Sequence, residues 1–179
     1  MKSTRIGQTR FPAKKLFVVT LIVMGITYSV MMLGVYLSSI HQGLSCLTWP
    51  LCPNGFDFPP PDYFYEHIHR TLVFVLMIAL FSFTAYSFIK LSSRSLRIKL
   101  ALASGLLIGQ VILGWVMIVT KLHPVIVATH LATGIAFFGI LVVTLISLHH
   151  VMKEGNGNNR VSSSTRSSKS SSGKSGSSK

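Results

Sequence analysis

The sequence predicts an all-α integral membrane protein, a four-helix up-down bundle with both termini in the cytoplasm. Three observations lead there. Of 179 residues, 49% are hydrophobic and only four are acidic, and the apolar residues fall in long runs rather than short alternations. Four runs, at about 16–39, 68–89, 96–120 and 125–148, reach the roughly 20 residues that a helix needs to cross a bilayer. Fifteen of the seventeen basic residues lie in segments on one side of those runs.

The chain opens with a basic arm, residues 1–15, carrying Lys2, Arg5, Arg10, Lys14 and Lys15. It resembles the n-region of a signal peptide. The apolar run behind it, however, is longer than an h-region of ~7–15 residues, and no clear small-residue cleavage site follows, so the run reads as a retained helix. Lys90, Arg94, Arg97 and Lys99 join the second and third runs; Lys153, Arg160, Arg166, Lys169, Lys174 and Lys179 follow the fourth. Arg70 and Lys121 share the opposite side with Asp57, Asp62 and Glu66. The positive-inside rule therefore puts both termini in the cytoplasm of a plasma-membrane protein. The net charge of +13 is a topology signal with some attraction to anionic lipid headgroups, not the footprint of a nucleic-acid partner.

A long outer loop, 41–67, joins the first two runs, and a very short outer turn, 121–124, joins the last two. Short connections make antiparallel neighbours, and the spans must be helical because lipid cannot satisfy a bare backbone. The membrane domain is thus 16–150. Residues 151–179 are mostly Ser, Gly, Asn, Lys and Arg with almost nothing apolar, and are expected to be disordered.

Small residues recur at helix-packing spacing: Gly105 and Gly109 in the third run, and Ala128, Ala132 and Ala136 in the fourth, with Gly134 and Gly139 beside them. Packing alone explains such a pattern, since small residues let helices or a flat cofactor come close. The histidines add to it. His41, His67, His69, His123 and His130 all belong to the outer half, and ionisable groups there are costly enough to be functional candidates. At ~1.5 Å per residue His69 and His130 lie at similar shallow depth, and two imidazoles at one level of a four-helix bundle suit axial ligation of a b-type heme. A lone histidine would read as interfacial; the pair, with Gly134 one turn below His130, reads as a porphyrin site. His149 and His150, at the cytoplasmic end, carry no role beyond the interface.

Glu66 precedes His69 by three residues and shares its helix face, either as a favoured residue of the first turn or as a site carboxylate. Arg70 suits heme propionates or marks the headgroup level. Gln110 suits a bond across helices or a ligand contact. Cys46 and Cys52, the only cysteines, share the outer loop in an oxidising compartment, so a disulfide is expected. Their spacing leaves open a structural bridge, a redox-active one, or two thiols.

Four segments together resemble heme A synthase, the membrane enzyme that oxidises heme O: Gly-Leu-Ser-Cys-Leu-Thr-Trp-Pro-Leu-Cys-Pro-Asn-Gly at 43–55, Glu-His-Ile-His-Arg at 66–70, Gly-Gln-Val-Ile-Leu-Gly at 109–114, and Leu-His-Pro-Val-Ile-Val-Ala-Thr-His-Leu at 122–131. The resemblance reaches to about Leu148. It implies that His69 and His130 ligate heme iron, that Glu66 is essential beside the methyl being oxidised, and that Cys46 and Cys52 form a disulfide. It also implies the reaction, the C8 methyl of heme O becoming a formyl group with oxygen from water during cytochrome oxidase biogenesis. A heme O synthase as supplier and an electron acceptor are the implied partners.

Typical members resemble two such four-helix halves, one for the substrate heme and one for a heme b cofactor. This chain resembles the substrate-side half, where the Glu and Cys motifs belong. A homo-oligomer whose identical subunits supply both sites is the expectation; a single bundle doing all the work, or a chain that is no synthase by itself, are the alternatives. Two other functions compete. A non-catalytic b-type heme protein for electron transfer or heme delivery needs the histidines but not Glu66. A quinone-coupled thiol oxidoreductase needs a second cysteine pair, which this sequence does not carry.

Overall fold

The computed structural model describes residues 13–46, 48–91 and 93–172. The basic positions Lys2, Arg5, Arg10, Lys174 and Lys179 lie outside the described residues. Four helices follow one another: α1 (Ala13–Ser39), α2 (Phe64–Lys90), α3 (Arg94–Val119) and α4 (Pro124–Ser172), with a 3-10 turn at Pro61–Tyr63 leading into α2. Each contains a stretch long and apolar enough to cross a membrane, so the chain is a multi-pass membrane protein. α4 continues past its crossing part, Pro124–His150, to Ser172. There the structure departs from the expected disordered tail. No proline stands between Val125 and Ser172, and extending a nucleated helix is far easier than starting one.

Local chemistry sets the helix ends. His41 and Lys121 take the left-handed conformation just past α1 and α3, with φ of 58° and 51°. The turns they make let Gln42 N–H reach Leu37 C=O (3.1 Å) and Leu122 N–H reach Met117 C=O (2.7 Å), which satisfies carbonyls that a helix end leaves orphaned. Pro124, whose missing N–H costs nothing in a first turn, opens α4. Ser93 caps α3 by accepting from Leu96 N–H.

One spacing governs the interior. Leu16, Thr20, Val23 and Thr27 of α1, Leu76, Leu80, Phe83 and Ser87 of α2, Leu96, Leu100, Ala103 and Leu107 of α3, and Phe137, Leu141, Thr144 and Leu148 of α4 are all buried. Alternating steps of four and three residues average 3.5, the period of a left-handed bundle with knobs-into-holes packing. α1 and α3 each pack on α2 and α4, which leaves α1 opposite α3 and α2 opposite α4. Thr20, Thr27 and Thr144 donate to the carbonyl four residues earlier, so their hydroxyls are satisfied without leaving the apolar seam.

These sixteen positions fill only the half of the bundle nearest the basic end. Carried outward in the same steps, the seam brings up Val30, Val73, Gln110 and Gly134, then Gly34, His69, Gly114 and His130, then Leu37, Glu66, Met117 and Val127. Of these twelve only Gly134, Leu37 and Glu66 are buried, and the rest are half-buried. The bundle is thus closed at its basic end and looser at the opposite end, the outer one if the basic end is cytoplasmic, where the chemistry-bearing side chains lie.

Candidate functional site

The second of those outer layers is the centre of the site. Gly34 and Gly114 stand five residues before the ends of α1 and α3 at Ser39 and Val119; His69 stands five residues after the start of α2, and His130 six after the start of α4. At ~1.5 Å per residue, all four lie about 8 Å below the outer ends of their helices. The two histidines occupy one diagonal of the bundle and the two glycines the other. A Cβ built on Gly34 would come 3.1 Å from Cε1 of His69, and one on Gly114 would come 4.0 Å from Cε1 of His130. Nδ1 of each imidazole is buried and makes no hydrogen bond among the described residues. Buried ring nitrogens without partners are uncommon, and here two of them border one layer.

One layer inward, Gln110 and Gly134 face each other. A Cβ on Gly134 would lie 3.4 Å from Oε1 of Gln110, so the room expected beside His130 at Gly134 is taken up by this amide, and Gly114 is the glycine beside the imidazole. Gln110 donates through Nε2 to Thr133 Oγ1, which donates to the carbonyls of Thr129 (2.8 Å) and His130 (3.1 Å). The amide is thereby fixed to the α4 turn that carries His130.

One layer outward lies Glu66, 4% exposed. Its Oε2 accepts from Ser45 Oγ (2.8 Å) and from the Cys46 N–H (2.8 Å), and its Oε1 accepts from Arg70 Nη2. Arg70 also donates through Nη1 to the Thr48 carbonyl. Glu66 and Arg70, one turn apart, thus grip the outer loop from below. That loop is closed by the Cys46–Cys52 disulfide, with Cα atoms 5.3 Å apart, and both half-cystines are buried. The loop leaves α1 against the second outer turn, where a Cβ on Gly43 would meet Leu122 at 3.4 Å. It crosses the start of α2 and reaches α3, where Trp49 and Trp115 lie 6.3 Å apart. Phe56 packs on Phe74 and Phe58 on Phe64, both on α2. The outer end of the bundle therefore carries a cap pinned by one carboxylate and one guanidinium.

Sequence reasoning singled out Glu66, His69, Arg70, Gln110, His130 and Gly134, and the structure brings five of them into three adjacent layers, with Arg70 paired to Glu66. It missed Ser45 and the Thr48 carbonyl, which no local pattern marks. It also missed Gly34 and Gly114, which the four-three spacing carried outward from Thr27 and Leu107 reaches. His67 is buried on the neighbouring side of α2 with its own Nδ1 unpartnered, while His41 and His123 stay in the outer connections.

A family model described as cytochrome oxidase assembly protein, COX15-CtaA, matches residues 55–171. The chain belongs to that family. The match covers α2, α3, both layer histidines, Glu66 and Arg70, and most of α4, and it bears out the resemblance to heme A synthase. No curated protein matches the chain. Family membership carries a role in cytochrome oxidase assembly and an oxidoreductase character.

Proposed function

We propose that the chain is a compact heme A synthase that oxidises the C8 methyl of heme O to a formyl group with water-derived oxygen. The observation that carries this reading is the layer in which Gly34, His69, Gly114 and His130 alternate around the bundle. A heme would need nitrogen donors from the chain and room for its flat ring between the helices. His69 and His130, each with an unpartnered Nδ1, would supply the donors, and Gly34 and Gly114 leave the space in which the two rings sit. Among the described residues no three His, Cys, Asp or Glu side chains cluster as a metal site. A heme iron needs no such cluster, because its ring provides four of its ligands.

Turning a methyl into a formyl group with one water releases four protons and four electrons. The electrons require an acceptor outside this bundle, and heme b, when bound, would supply the redox chemistry. The chain's own residues do the rest. His69 and His130 hold the substrate, with His69 seated against Gly34. Glu66, one turn outward from His69, has both lone-pair positions of Oε2 engaged by Ser45 and Cys46, so Oε1, shared only with Arg70, is the atom that takes up a proton beside the oxidised carbon. Arg70 holds that oxygen in place, and the disulfide loop excludes bulk water from above. In this reading the chain works as a homo-oligomer in the plasma membrane, with the basic end cytoplasmic. One copy holds heme O and another heme b, and a heme O synthase feeds the site.

A second reading, a b-type heme protein without the chemistry, is favoured by one observation: Glu66 already has a structural task in holding the loop. Co-expression with a heme O supply, followed by chromatography and mass analysis of the extracted hemes, separates the two. The synthase yields heme A or its hydroxylated precursor, which Glu66→Ala abolishes and Ser45→Ala, with its carboxylate intact, retains. Heme b alone, unchanged by Glu66→Ala, would leave the binding module.

A further inference from the structure

The other end of the bundle carries a feature that the heme chemistry does not use. Where α2 ends and α3 begins, a cleft of about 510 Å³ opens on the lipid-facing surface, lined by Phe88, Arg94, Arg97, Ile98, Ala101 and Leu102. Arg94 and Arg97 are three residues apart at the start of α3 and so project from one side of it, where the helix dipole adds to their positive charge. Among the described residues the one ion pair is Arg70–Glu66, at the opposite end, and neither guanidinium of the cleft makes a side-chain hydrogen bond. Three of the four acidic residues, Asp57, Asp62 and Glu66, belong to that opposite end as well. Below the guanidiniums the walls are wholly apolar. Phe88, Ile98 and Leu102 are 52%, 49% and 55% exposed, on a surface that faces lipid. Leu102 stands eight residues beyond Arg94, so the wall descends about 12 Å from the charged rim.

We infer that this cleft holds one anionic phospholipid of the adjoining leaflet. Its phosphate lies between Arg94 and Arg97, and an acyl chain runs down past Ala101 and Leu102 against Phe88. Charge complementarity selects the occupant. Two guanidiniums without an ion-pair partner among the described residues call for a net negative headgroup rather than a zwitterionic one, and the bidentate geometry of arginine suits phosphate oxygens. The apolar wall selects a lipid over a free phosphate, which would have no use for it.

The test uses the full chain in nanodiscs of phosphatidylcholine doped with phosphatidylglycerol, with native mass spectrometry counting the lipids that remain bound after release. One phosphatidylglycerol is expected on the wild type. At ~1 kcal/mol per basic residue, R94Q/R97Q should weaken its retention about tenfold or more, whereas K14Q/K15Q, which removes the same charge from the same end but outside the cleft, should keep it. Ala101→Trp, at an exposed position that fills the wall and leaves both arginines, should also lose it. Equal retention in R94Q/R97Q and wild type, equal loss in K14Q/K15Q, or full retention in Ala101→Trp would each overturn the assignment. The readout does not depend on heme, so it stands or falls separately from the synthase reading.

Discussion

Glu66 accepts three hydrogen bonds on two oxygens, and the three donors differ in what their loss would do. Ser45→Ala removes one neutral donor and should lower stability by ~1 kcal/mol. Glu66→Ala strands the Cys46 N–H and leaves the Arg70 guanidinium with only the Thr48 carbonyl, and should cost ~3 kcal/mol, because a part-buried charge loses its counter-charge. Thermal unfolding in detergent would rank the two, and equal effects would mean that the loop is not held through the carboxylate. Gly34 offers a second test. Gly34→Val pushes atoms into His69 and, with overpacking worth ~1–3 kcal/mol, should weaken heme binding about tenfold or more. Gly25→Ala, where a Cβ meets nothing within 4 Å, should leave the heme absorption spectrum unchanged. The residues that a short motif can mark, Glu66, His69, Arg70 and His130, were legible in the sequence. Ser45 and the Thr48 carbonyl were not, because they become partners of α2 only after a loop of about twenty residues has folded back.

At the scale of the helices, the spans were legible but their inward faces were not. Each helix is apolar all round, so amphipathicity gives no direction, and lipid solvates a leucine as well as a neighbouring helix does. The direction comes from small and hydroxyl-bearing residues: Thr20, Thr27, Ser87, Ala103 and Thr144, all buried at four-three spacing. Ala103, fully buried, and Leu102, 55% exposed, are sequence neighbours on opposite sides of that distinction. Ala103→Leu should destabilise the bundle by ~1–3 kcal/mol through overpacking, while Leu102→Ala should change it by less than ~0.5 kcal/mol. Denaturant titration followed by helical circular dichroism would measure both. A reversed order would mean that the seam has been drawn on the wrong face. The ends of the spans were legible to within a few residues, except at the tail, where composition argued against the helix that α4 continues to Ser172.

For the molecule as a whole, four crossings bring the start of α1 and the end of α4's span to one end, where most of the basic residues gather. Reporters fused to the two termini should both give cytoplasmic signals. An external signal from either would reverse the orientation and carry the disulfide loop to the reducing side. All-α class and multi-pass character follow from composition and run length alone. The division into a packed half and a looser half does not. It depends on which side chains meet across the seam, and the sequence shows those only once the register of all four helices is known.

A half-turn about the bundle axis exchanges α1 with α3 and α2 with α4. It lays Gly34 on Gly114 and His69 on His130, so the layer that we assign to the heme is nearly its own image. Porphyrins with a single long tail have no such symmetry, and a pocket of this kind offers them two seatings that its four central residues scarcely distinguish. The image fails one layer outward, where the same half-turn lays Glu66 on Val127, and one layer inward, where it lays Gln110 on Val30. In the proposed reaction the layers on either side, not the ligand layer, would therefore decide which edge of the ring meets the carboxylate, and so which of its methyl groups is oxidised.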